Sequence, residues 1–310
     1  MMDSELPLDT SHPAVRDYLA LIRLQVLTPL SLLINMATVM VCTLVVNPNL
    51  GDISRLYPAV IAPEPSMVAI YLVAIYLGQI GYCVLLVLAR KRETKDALVK
   101  GVGLPLVFAN WVMAAWAIAW LFQAFLVAVV LQGILLVLLI YANVVLLVYH
   151  APTAERPVDI ALIHAPMRAF MILPLGVMFA YNLFITLGMT WSPGEPQHYG
   201  KHQWTGLGVM LGVNVISLII VVLRRDIVWC VAACWIDASI WIFKPKPFPV
   251  FITTVVFTIV LPLALVASAL WVKMRGGRRE GAIRLPEEEA EERGGAQRGP
   301  REVDAEALWG

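Results

Sequence analysis

Eight apolar runs dominate this chain, at 24–46, 67–89, 102–122, 125–149, 169–191, 206–223, 227–243 and 250–272. A hydrocarbon core about 30 Å thick is crossed by roughly 17 to 25 apolar residues, and each run meets or approaches that length. Lipid offers no partner for unpaired backbone groups, and runs this uniformly apolar do not suit barrel strands, so each is expected to be an α-helix. The predicted fold is therefore all-α, a polytopic transmembrane helical bundle of about eight spans. Two boundaries are thin. The third and fourth runs are separated only by Gln123 and Ala124, and the seventh is short and carries Asp237.

Composition closes the alternative of a water-soluble domain. The chain is 60% hydrophobic and 15% charged, with a mean hydropathy of +0.77, far from the balance of a soluble fold. A net charge of +1 makes no case for nucleic acid. The four cysteines, Cys42, Cys83, Cys230 and Cys234, all fall within the runs, where a secreted-type disulfide framework is not expected.

Loop charge orients the bundle, because Lys and Arg accumulate on the cytoplasmic side. Of the 23 basic residues, 19 fall before the first run, after the second, fourth and sixth, or after the last. The opposite connections hold only Arg55, Lys201, Lys244 and Lys246. Both termini are thus expected in the cytoplasm: a segment 1–23, a membrane domain 24–272 and a tail 273–310, polar enough to be disordered. The leader carries Asp3, Glu5, Asp9 and Asp17, unlike a cleavable signal peptide or a mitochondrial presequence, so an endomembrane or plasma-membrane location is expected over a mitochondrial one.

Polar residues within the runs fall in stripes. Gln25, Thr28, Ser31, Asn35, Thr38 and Cys42 recur every three or four residues on the first helix and should face the bundle interior. Gln132 and Asn143 continue the theme on the fourth, Asn182, Thr186 and Thr190 on the fifth, and Gly208, Gly212 and Asn214 on the sixth. Such stripes serve interhelical packing or line a ligand path.

Asp237 is the sharpest single feature, since a carboxylate inside hydrocarbon is costly and is retained for pairing or function. One reading places it near the outer interface, paired with Lys244 or Lys246. Others make it a proton relay, a substrate counter-ion, or part of a metal site with Cys230 and Cys234, which would lack a usual third nitrogen or sulfur ligand. Glu64, just before the second run, could join it as an acid and base pair. His198 and His202 lie four apart in an outer loop. No nucleophile motif, phosphate-binding loop or helical His-Glu-x-x-His is present, so the sequence does not favour an enzyme. Trp191, Trp204, Trp241 and Trp271 flank run ends as an aromatic belt does. Trp116 and Trp120 share one helix face, where flat rings can meet a planar apolar ligand.

Pro63 and Pro65 precede an aromatic-rich second helix with Ile70-Tyr71 and Ile75-Tyr76, and the third closes on Ala114-Ala115-Trp116 and Trp120. This order resembles the tryptophan-rich sensory protein and translocator protein superfamily, especially its longer eukaryotic branch and related fungal membrane proteins. The likeness covers roughly Leu24 to Trp191. It departs at Met113, where the family often has Asn, and at Tyr71, where Trp is expected. The resemblance implies that Trp116, Trp120, Pro63 and Pro65 border a cavity for a tetrapyrrole, sterol or similar ligand.

The expected function is thus to bind or move a small hydrophobic molecule within the bilayer, with Trp116, Trp120, Asn35, Asn182 and Asp237 as ligand-binding residues. The first, third, fifth and seventh spans would supply the lining. The rivals are a proton-coupled transporter using Asp237 and an intramembrane enzyme using Glu64 and Asp237. A homo-oligomer is compatible with either.

Overall fold

The computed structural model describes residues 13–152 and 156–280. Most of the expected N-terminal segment and the expected tail beyond Glu280 lie outside the described residues. Two compact units divide the chain, Met1–Leu265 and Val266–Gly310; to the second, the description contributes only the continuation of one helix.

The chain is an integral, multi-pass, all-helical membrane protein. Its helices are α1 (Pro13–Leu44), α2 (Leu50–Leu56), α3 (Pro65–Leu88), α4 (Arg92–Leu121), α5 (Phe125–Tyr149), α6 (Pro157–Thr186), α7 (Gln203–Arg224), α8 (Ile227–Ile242) and α9 (Phe248–Glu280). Among the described residues, seven helices are long and apolar enough to cross a bilayer. The remaining long apolar segment, α8, has 16 residues, about 24 Å at 1.5 Å per residue, which is short for an unaided crossing.

Local chemistry sets the boundaries. Asn49 and Asp52 form a reciprocal capping box that starts α2, satisfying two amides that a helix N-terminus leaves free. Pro65 occupies the first turn of α3, where a missing N–H costs nothing. Asp226 caps α8 by accepting from the Trp229 amide at 3.1 Å. The turn between α4 and α5 needs only Phe122–Ala124, because Gln123 adopts a left-handed conformation (φ 56°). Three π-helical stretches, Ala97–Val102, Ile160–His164 and Pro174–Met178, interrupt α4 and α6. The last begins on Pro174, whose ring has no N–H to continue the α pattern.

Three helices begin well before their apolar runs, the first being α1, which starts at Pro13 rather than Leu24. α6 starts at Pro157 rather than Ala169, because His164 and Arg168 are buried against other helices instead of lying in a loop. α4 starts at Arg92, ahead of the run at Val102. α9 continues to Glu280, past the expected start of the tail at 273.

Helices α1, α3, α6, α5 and α4 pack in a closed ring, each against the next and α4 against α1. The α3–α6 contact is close because glycines allow it. A Cβ on Gly78 would lie 2.8 Å from Pro166 and one on Gly81 2.7 Å from Leu162. α8 packs outside this ring on α6 and α3, and α7 packs on α8.

The connections expected outside the cell or in the lumen meet at one end of the bundle. There Tyr57 donates to Gln123 at 2.7 Å, the Trp191 amide to Pro58 at 3.1 Å and Lys246 to Val60 at 3.1 Å. At the other end, where basic residues accumulate, Arg156 pairs with Glu93 at 3.2 Å and Arg168 with Asp226 at 2.7 Å.

Candidate functional site

A cavity of about 280 Å³ lies inside the ring, below the segment 49–65. Val39 and Thr43 of α1, Val68 and Leu72 of α3, Trp116 and Trp120 of α4, and Met178 and Tyr181 of α6 form its apolar wall. Asn49, Asp52, Ser54 and Arg55 of the capping segment face it, with Pro63 and Pro65 at its edge. The site is therefore amphipathic, with an apolar body and a polar mouth, the form usual for small-molecule pockets.

The two indoles are fixed. Their ring centroids lie 5.7 Å apart at an angle of 36°. The Trp116 N–H donates to Asn182 Oδ1 at 3.1 Å, and Asn182 in turn donates to the Met178 carbonyl at 2.6 Å. That carbonyl closes the π-helical turn of α6, so a local irregularity and a tryptophan rotamer are tied together. The Trp120 N–H donates to the Leu50 carbonyl at 3.3 Å, anchoring α2. The Trp120 ring packs against Tyr181 and Phe125 at 5.6 and 5.5 Å. Tyr181 secures the cap from below: its hydroxyl donates to the Ser54 or Tyr57 carbonyl, each at 3.0 Å, and meets the Ser54 hydroxyl at 3.0 Å.

The expected ligand residues thus divide. Trp116 and Trp120 line the cavity, and Asn182 stands behind Trp116. Asn35 does not line it. Asn35 donates to Asn110 at 2.9 Å, Asn110 to Gln79 at 2.8 Å, and Tyr76 to Asn35 at 3.4 Å, a buried network joining α1, α3 and α4. Asp237 lies elsewhere too, so the seventh span contributes nothing to this wall, while the second, α3, contributes Val68 and Leu72.

Asp237 is 2% exposed and lines a separate void of about 10 Å³ between α6, α7 and α8. It pairs with neither Lys244 nor Lys246. Its Oδ1 accepts from Asn214 at 3.0 Å, and its Oδ2 is buried without a partner, as is the Trp229 indole nitrogen on the same void. Lys246 bonds instead to backbone carbonyls, and Lys244 lies over the Phe251 ring at 4.0 Å. Glu64 meets Arg55 at 3.5 Å and lines neither the cavity under the cap nor the void at Asp237. Among the described residues, no group of three or more His, Cys, Asp and Glu side chains converges as metal ligands. His198 meets Glu195 at 3.0 Å.

The residues that sequence reasoning missed are those of the polar mouth and Tyr181. Asn49 and Asp52 carried a readable signal, since Asn with an acid three residues later is a capping-box pattern. Tyr181 carried none apart from its place one residue before Asn182.

Residues 24–268 match the family model described as TSPO-like protein. No curated protein and no solved structure is matched.

Proposed function

We propose, from the premise that this chain belongs to the TSPO-like family, that it binds a small amphipathic molecule with a tetrapyrrole- or sterol-like body in the cavity under α2. The observation that carries this reading is the cavity of about 280 Å³ walled by Trp116 and Trp120, with both indole nitrogens already bonded to protein. Their N–H groups are satisfied without a ligand, so the rings offer their faces. A flat, apolar body suits those faces, and a polar or anionic group suits the mouth at Asn49 and Arg55. Arg55 is 64% exposed and only loosely held by Glu64 at 3.5 Å, which leaves its guanidinium able to turn toward a bound anion. The test is quenching of tryptophan fluorescence in detergent by protoporphyrin and by a fluorescent sterol. Saturable quenching that weakens in Trp116→Phe is expected; its absence at micromolar ligand counts against the reading.

A second reading has its own observation. The unpartnered Oδ2 of Asp237, on a void that Trp229 also lines, supports a proton-holding site, because a buried carboxylate with one donor is poorly compensated when ionised. Proton-coupled flux in vesicles that disappears in Asp237→Asn would favour it. Equal flux in both proteins would remove it.

A further inference from the structure

The ring of α1 and α3–α6 surrounds the cavity without help from α7, α8 or α9, yet α7, α8 and the α8–α9 connection grip the segment that closes it. Val60, Ile61 and Ala62 are at most 2% exposed, although their backbone belongs to no helix. Buried carbonyls outside regular structure must find donors. Here Lys246, in the connection between α8 and α9, supplies them, its Nζ donating to Val60 at 3.1 Å and to Ala62 at 2.9 Å. A buried lysine is costly unless so bonded. Two residues on, the Glu64 amide donates to the Ser239 carbonyl of α8 at 2.7 Å. Then Trp235 of α8 donates to the Met67 carbonyl at 2.9 Å. At the start of α7, Gly206 sits so close that a Cβ there would lie 2.5 Å from Val60 and 3.2 Å from Val250.

The cap is therefore held in two halves. Leu50, Ser54 and Tyr57 are fastened to the ring by Trp120, Tyr181 and Gln123. Val60 to Met67 is fastened to α7, α8 and the connection to α9. None of Lys246, Gly206, Ser239 and Trp235 lines the cavity.

We infer that α7, α8 and the α8–α9 connection form a latch on the cap, with Lys246 and Gly206 as positioning residues that set how fast a ligand enters and leaves the cavity. The latch follows from the contacts alone. Its effect on a ligand rests on the binding reading above.

Two measurements separate these layers. Hydrogen–deuterium exchange of the full-length protein in detergent needs no ligand. Peptides over 58–67 in the wild type should exchange as slowly as those of mid-α4. Lys246→Met, which keeps the stem and removes the donors, should speed that exchange at least tenfold while mid-α4 is unchanged. Gly206→Ala, which pushes on Val60 without touching Lys246, should do the same to a lesser degree. Fast exchange of 58–67 in the wild type, or unaltered exchange in folded variants, overturns the latch. The wild-type arm decides even if both variants fail to fold.

The second measurement is stopped-flow dissociation of protoporphyrin, where Lys246→Met should release it at least tenfold faster than wild type. A faster cap with unchanged release overturns the claim that the latch governs access. Absence of any protoporphyrin binding to wild type would contradict the binding reading, while the exchange result would still stand on the latch.

Discussion

The indole N–H of Trp116 donates to the side-chain oxygen of Asn182 at 3.1 Å, joining the last third of α4 to the α-helical turn that follows the π-helical stretch of α6. Asn182 is fully buried and spends its own N–H on Met178, so it is a fixed acceptor that selects one orientation of the Trp116 ring. Interhelical hydrogen bonds in membranes contribute about 0.6 to 2 kcal/mol. Asn182→Ala should therefore weaken protoporphyrin binding by about 3- to 30-fold, at 1.4 kcal/mol per tenfold. Fluorescence titration reads this directly, and unchanged affinity would mean that the orientation of Trp116 does not matter.

Burial, with Lys244 as the lesser cause, pulls the Lys246 ammonium down to about 7. An unfolded lysine titrates near 10.4, so between these values the unfolded chain binds more protons than the folded one. Stability should then rise with pH from about 7 to about 10, by at most about 1.4 kcal/mol per pH unit. The melting temperature of the detergent-solubilised protein should climb through that window in wild type and lose this component in Lys246→Met. Identical profiles would mean that Lys246 is charged and comfortable in place.

Arg168 and Asp226 form a 2.7 Å ion pair whose side chains are 10% and 4% exposed, and Asp226 also caps α8. Removing one partner leaves a buried charge, which typically costs about 3 to 5 kcal/mol. Arg168→Ala and Asp226→Ala should each lower thermal stability sharply. Arg168→Met with Asp226→Asn should recover much of it, since the uncompensated charge is gone and Asn still caps a helix. No recovery in the double variant would contradict the pairing.

Asp237→Asn should leave the fold intact and its melting temperature unchanged or raised. The asparagine oxygen can still accept from Asn214, while the poorly compensated charge is removed. A large loss of stability would mean that the carboxylate holds the α7–α8 contact in a way that the single Asn214 bond does not reveal.

The sequence made the long helices legible to within a few residues where apolar content ends abruptly, as in α5 at 125–149 and α8 at 227–242. It misplaced the start of α6 because hydropathy treats Arg168 and His164 as loop residues. In the fold their partners, such as Asp226, come from a helix start about sixty positions away, and a one-dimensional average cannot register that pairing. α2 was hidden for a different reason: seven residues between prolines give no periodicity, and only the Asn49–Asp52 cap betrayed it.

Within the site, Trp116 and Trp120 were readable from their spacing of four, which stacks them on one face. Asn35 looked equivalent by the same logic, yet it spends its polarity on Asn110 and Tyr76. Interhelical bonding and ligand lining leave the same stripe in a sequence. Asp237 was correctly singled out as unusual, but its expected lysine partners were chosen by proximity along the chain. Lys246 is instead committed to Val60 and Ala62, residues about 185 positions earlier, and Asp237 turns inward to Asn214.

The central claim is that a small apolar molecule sits between the indoles and the cap, and photo-crosslinking with a diazirine-bearing sterol, mapped by mass spectrometry in native membranes, tests it most directly. Labelling concentrated on 39–43, 49–55, 65–72 and 116–120, and competed by unlabelled sterol or protoporphyrin, is the expected result. Labelling confined to outward-facing residues such as Val137 and Val144 of α5, or insensitive to competitor, would contradict the account.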